Sequence, residues 1–241
     1  MAHFMYRASG IAVYGRIIRP IDRHLEPQGV CVLPATGGSV SSKAGAFSLS
    51  DPASGEFLLS YGSAETSIQG YESAPGMHTT VLVSTVRDIN VGNVLKAEEV
   101  TATLTLNYDL GTDRVTIKTE GSRFVKLTIG GLAFEVAMDH DLGHEAADYE
   151  AFRKNHPALG EKRGKIHYAL GRHPLLKFDD SGYGYHNQPN FGRVYFGEWT
   201  AAPYTQTLTM LRLRLGSPQG GDLGFGGGDP NGNPPIGGND N

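Results

Sequence analysis

A chain of 241 residues with 39% hydrophobic and 19% charged side chains has enough apolar material for a packed core and length enough for one large β domain, which excludes wholesale disorder. Its formal net charge of −4, with no run of basic residues longer than Lys162-Arg163, excludes the electrostatic footprint of a DNA or RNA binder, and no stretch approaches the ~18 apolar residues of a membrane span. The 33 glycines and 13 prolines point to many tight turns, while Cys31, the sole cysteine, excludes an intrachain disulfide and a cysteine-based zinc site. The first ten residues lack the apolar run of a signal peptide, so the chain reads as a mature exported protein whose leader has been removed or, alternatively, as cytoplasmic.

Residues 9–18 alternate loosely and read as a strand that Arg19-Pro20 ends, because proline cannot donate to a ladder. A second short strand follows over 29–33, and small-residue strands over 45–49, 56–61 and 64–71 keep the spacing of a sandwich or barrel. Residues 78–86 are more continuously apolar and read as a central strand, with another over 90–95. The stretch 100–139 then reads as four consecutive antiparallel strands. In its first strand Ala102, Leu104, Leu106 and Tyr108 alternate with Thr101, Thr103, Thr105 and Asn107, the period of a strand with one wet face. Gly130-Gly131 suits a two-residue type I′ turn, which would pair Ile129 with Leu132, Leu127 with Phe134 and Val125 with Val136.

The pattern changes after Met138. Residues 143–155 read as a helix, with Ala147, Tyr149, Ala151 and Phe152 at three- and four-residue spacings, Asp141 as its cap and Pro157 as its stop. A strand over 165–170 is followed by an aromatic stretch over 179–204 and a closing strand over 205–215. The apolar phase of that last strand shifts between Met210 and Leu211, which predicts a bulge or a strand buried on both faces. Residues 219–241 are mostly Gly, Asn, Asp and Pro, a composition that reads as a tail outside the domain. Its Phe225 and Ile236 would dock on a neighbouring subunit, and a chain cut after Ser217 would keep its sandwich. The sequence therefore predicts an all-β fold. It would be an antiparallel β-sandwich, jelly-roll-like or Greek-key, over 1–218, with a helix inserted near 143–156 and a Gly/Asn/Pro-rich tail over 219–241.

The small-residue segment Thr36-Gly-Gly-Ser-Val-Ser-Ser, the run Val-Gly-Asn-Val-Leu-Lys-Ala-Glu-Glu-Val-Thr-Ala within 86–106 and the segment 124–131 resemble secreted bacterial proteins of the choice-of-anchor type, particularly the P group. The likeness covers residues 12–49 and 79–131. It implies an exported β domain at the cell surface and carries over no functional residues.

The densest set of ligating side chains is Asp139-His140-Asp141-Leu142-Gly143-His144-Glu145. Asp139, Asp141, Glu145 and Glu150 have the alternation of an oxygen-rich loop that would hold calcium, the one cofactor the sequence suggests. His144 stands where such a loop wants glycine, and the simpler reading is a strand-to-helix turn capped by Asp141. His140 and His144, four residues apart, would instead seed a metal-dependent hydrolase. Asp229, Asn231 and Asn233 also alternate, as an acidic linker does. Tyr183, Tyr185, Phe191 and Trp199 would stack on a sugar or anchor a protein partner, or else plug the open end of a sandwich. No Gly-x-Ser-x-Gly elbow or other placed nucleophile is present. The leading expectation is a non-enzymatic, exported structural or interaction protein, an extracellular subunit that forms a homo-oligomer or filament or binds another surface protein. The alternative is a metal-dependent hydrolase or a carbohydrate-binding protein built from the 139–145 cluster and the 183–204 aromatics.

Overall fold

The computed structural model describes residues 4–141, 149–156, 161–162, 165–202 and 205–230. The N-terminal part supplies β1 (Ser9–Arg19), β2 (Arg23–Gln28), β3 (Cys31–Val32), β4 (Gly38–Ala44), β5 (Phe47–Ser50), β6 (Phe57–Tyr61) and β7 (Ser63–Ala74). Next come β8 (Met77–Val91), β9 (Leu95–Asp109), β10 (Arg114–Lys118), β11 (Arg123–Val125), β12 (Thr128–Ile129), β13 (Leu132–Ala133) and β14 (Ala137–Met138). After helix α1 (Tyr149–Asn155) follow β15 (Glu161–Lys162), β16 (Lys165–Ala169), β17 (Gly171–Arg172), β18 (Lys177–Phe178) and β19 (Gly184–Gln188). Three long strands close the order, β20 (Gly192–Ala202), β21 (Thr205–Leu215) and β22 (Gly220–Asp229).

All strands but β14 and β17, which pair only with each other, form two antiparallel sheets packed face to face, the all-β sandwich that the alternation predicts. A middle sheet is built on the long β8–β9 hairpin, with β7 and β4 on one side and β10, β11 and β12 along the far side of β9. A terminal sheet runs β2, β1, β22, β21, β20, β16, β15, with β3 against β1 and the β18–β19 hairpin against β20. The strand over 9–18 is β1, and Arg19-Pro20 ends it as expected. The strand over 78–86 is the central β8, but it continues to Val91, so residues 92–94 are its turn and not part of a further strand.

Residues 100–139 depart from a simple meander. β10, β11 and β12 do not pair in sequence; each takes its own segment of β9. The Gly130-Gly131 turn does form, both glycines at positive φ, and pairs Ile129 with Leu132. Phe134 N–H also bonds the Leu127 carbonyl. Val125, however, pairs with Glu99, because Lys126 adopts a left-handed backbone (φ 48°) that breaks the strand before the hairpin. Leu132, at the hairpin tip, is 74% exposed.

The largest correction concerns the C-terminus. Gly220–Asp229 is no tail but an inner strand, β22, hydrogen-bonded to β21 on one side and β1 on the other. Leu223 and Phe225 are fully buried in the domain's own core, so Phe225 serves this subunit. Ile236 lies outside the described residues.

The phase shift at Met210 and Leu211 is present without a bulge. The β20–β21 and β21–β22 ladders keep one register throughout. In each of several neighbouring strands two successive residues turn towards the core, namely Met210 and Leu211, Phe225 and Gly226, and Ala12 and Val13. Gly197 and Gly226 lie in this transverse row with φ near 60°, a backbone that side-chain-bearing residues adopt only at a cost, and it exchanges the two faces of the strand. The middle sheet does the same around Asp88 (φ 56°), after which Ile89 and Val91 are buried in place of Val86 and Ser84.

Beside that second row Glu99 receives Arg87 at 3.1 Å and Arg123 at 2.5 Å. Burial pushes its carboxyl pKa up, but the Thr101 hydroxyl and the Arg123 and Arg87 charges outweigh this and hold it below the ordinary value. A depressed folded pKa means stability present above the unfolded value, about 4.3, and lost as pH falls through the folded one. The melting-temperature gap between wild type and Glu99→Gln is therefore expected to be widest near neutrality and to close on acidification below about pH 4. Thermal melts across pH 3 to 7 read this; a gap that widens in acid would contradict it.

Candidate binding face

Paired residues of adjacent strands lie on the same side of a sheet, so the register fixes what the outer face of the terminal sheet presents. One row across β19, β20, β21, β22 and β1 reads Asn187, Arg193, Arg214, Asp222, Arg16. The next reads Tyr185, Tyr195, Arg212, Gly224, Tyr14. Without the reversal at Gly197, Glu198 would point into the core; with it, Glu198 joins Tyr195 and Arg212 outside.

Arg212 is the centre of this face. Its Nε and Nη2 donate to the two Glu198 carboxylate oxygens, both at 2.6 Å, and Nη1 donates to Asp222 at 3.3 Å. The guanidinium lies 3.9 Å from the centroid of the Tyr195 ring. Glu198 is 7% exposed, Tyr195 1%. Tyr14 lies across Gly224, where a Cβ would collide with the phenol. On the other flank the Tyr183 hydroxyl meets Thr200 Oγ1 at 2.6 Å and His167 Nδ1 at 2.5 Å. Arg193 covers the Tyr185 ring at 4.7 Å, and Tyr185 leans on Tyr195 at 5.5 Å.

Burial dominates the electrostatics. It pushes the Tyr14 hydroxyl up to about 12, aided by the nearby Glu198 and Asp222 charges and opposed by Thr209 and Arg212. The Tyr183 hydroxyl is raised for the same first reason, with Glu198 adding to it. Burial also pushes the Glu198 carboxyl pKa up, against the pull of the Arg212 hydrogen bonds and charge. For Arg212 burial works against the cation, but the Glu198 bonds and charge outweigh it and raise its pKa further. A fully engaged, desolvated ion pair on a face that the core does not use is an expensive feature for a sheet to carry.

The sequence-derived candidates divide. Tyr183 and Tyr185 belong to this face, whereas Phe191 and Trp199 are core residues, 3% and 0% exposed. Asp139 accepts from Arg172 at 3.0 Å, His140 Nδ1 lies 2.9 Å from Thr119 Oγ1, and Glu150 pairs with Arg153 at 3.4 Å. Asp141 is exposed, and Glu145, His144, Asn231 and Asn233 lie outside the described residues. Among the described residues no three His, Cys, Asp or Glu side chains gather as a metal site. Cys31 is buried, donates to the Thr66 carbonyl at 3.2 Å, and has its thiol pKa raised by desolvation, so it is no ready nucleophile. Tyr14, Glu198, Arg212 and Asp222 were not singled out from sequence; their one visible trace is the phase shift between Met210 and Leu211.

Fold and site together define an all-β sandwich with a polar, arginine- and tyrosine-bearing platform on one outer face. The chain belongs to the DUF8256 family, a domain of unknown function, whose family model matches residues 4–160. That span holds Tyr14 and Arg16 and stops before β16 to β22, which carry the rest of the platform. No curated protein and no solved structure matches the chain.

Proposed function

We propose that the protein is a non-enzymatic binding module whose recognition surface is the outer face of the terminal sheet. The observation that carries this reading is the fixed geometry of Arg212, held at once by Glu198, Asp222 and the Tyr195 ring. A surface whose side chains already hold each other in place loses little conformational entropy on binding, which favours recognition of a ligand. The same bonds weigh against proton-transfer chemistry, because both Glu198 oxygens are occupied by a cation that does not deprotonate. An exported setting, which the choice-of-anchor likeness implies, would present this face to extracellular ligands. Inter-subunit assembly through the segment around Phe225 drops out of the reading, since that segment is internal to the sheet.

The test is a screen of immobilised polysaccharides and peptides with folded wild type and with Tyr185→Ala/Arg193→Ala. Ligands retained by wild type and lost by the double variant are expected, with backbone amide shifts in β19 to β22 as their footprint. Ligands held equally by both proteins, or a footprint confined to the middle sheet, would overturn the assignment.

A further inference from the structure

Arg193 and Arg214 sit directly opposite each other on neighbouring strands, both exposed, in the outermost row of the platform. Like charges in that position repel and destabilise a sheet. Among the described residues neither meets a carboxylate within 4 Å as an ion pair, although Arg193 is steadied by the Tyr185 ring. Their strands are ~4.8 Å apart, so two planar forks can converge on one oxyanion. The next position in the row is Asp222, which Arg212 holds in place. It would repel a second anion and accept hydrogen bonds from hydroxyl groups. On the side of Arg193 away from Arg214 stands the half-buried ring of Tyr185, 4.7 Å from the Arg193 guanidinium, whose edge is a surface for C–H groups. From this juxtaposition of two exposed neighbouring arginines, a carboxylate acceptor opposite the second of them and an aromatic edge beside the first, we propose that the platform binds an acidic sugar. The sugar's carboxylate lies between Arg193 and Arg214, and its neighbouring hydroxyls donate to Asp222. This deepens the binding-module reading and rests on it.

Phosphate or sulfate alone fits less well. A dianion gains from the arginines but meets Asp222 in the same row, and it has no hydroxyl to offer there.

Three probes separate the contributions: a galacturonate trisaccharide, a neutral galactose trisaccharide and inorganic sulfate, each titrated into the protein with amide shifts as readout. The acidic sugar is expected to bind at least tenfold more tightly than either of the others. Arg193→Gln/Arg214→Gln should weaken acidic-sugar binding at least tenfold while the protein keeps a cooperative melting transition. Arg193→Lys/Arg214→Lys keeps the charge without the fork and should fall between. Equal binding of the acidic and neutral sugars, or undiminished binding to the glutamine variant, would overturn this inference and leave the binding face standing. So would binding led by sulfate. Acidic-sugar shifts confined to the middle sheet would remove both.

Discussion

A chain stopped after Ser217 is expected to yield no folded domain, whereas one stopped after Pro230 retains every described strand and serves as the control. The reason is the position of β22 in the sheet. Its removal strips β1 and β21 of their shared partner, leaving two rows of backbone groups unpaired at the centre of a sheet. It also deletes Leu223 and Phe225, both 0% exposed. Losing two such side chains from a close-packed interior costs roughly 6 to 10 kcal/mol, which matches the whole stability of many domains. Circular dichroism and a urea titration decide it. A cooperative unfolding transition in the shorter chain would show that β22 is dispensable.

The second large effect is expected for Arg212→Ala. It leaves the buried Glu198 carboxylate without its bidentate partner and removes the cation from the Tyr195 ring. Breaking a buried pair in this way costs about 3 to 5 kcal/mol. The combined Glu198→Leu/Arg212→Met replacement removes both charges and should recover most of the loss, since desolvation no longer has to be met. Urea unfolding of the single and double variants measures this as strong non-additivity. If the double variant were as unstable as Arg212→Ala, packing and not the unpaired charge would account for the cost.

Much of the fold was legible because two-residue periodicity reports one buried face. It located β1 and β9, and continuous apolarity located β8; β16 and β21 were also read as strands, and the Gly130-Gly131 turn carried its own conformational signature. β22 was hidden by composition. Its glycines resemble a linker, yet Leu223 and Phe225 keep the strand period, and a side chain at Gly228 would run into Leu82 of the facing sheet. Absence of side chains there is a packing requirement that sequence alone presents as flexibility. The binding face was harder still. Tyr14, Asp222, Arg212 and Glu198 come from four strands and meet only through register, and Glu198 reaches the outer face through the left-handed turn at Gly197. Tyr183 and Tyr185 were visible as aromatics, but Phe191 and Trp199 looked the same and went to the core.

The pairing of β1 with β22 also dictates when the molecule can fold. Ser9 pairs with Asp229, so the first long strand to leave the ribosome waits for the last before its ladder can be completed. The middle sheet is made of hairpins close in sequence and can form early, while the chain is still being extended. Until β22 emerges, the apolar face of that sheet has no inner strand of the terminal sheet to lie against, and Leu82 and Val100 stay wet. Translation through β22 is thus the step that turns an exposed, aggregation-prone half into a closed domain. A pause in synthesis just before Gly220 would prolong the vulnerable state more than a pause at any earlier turn.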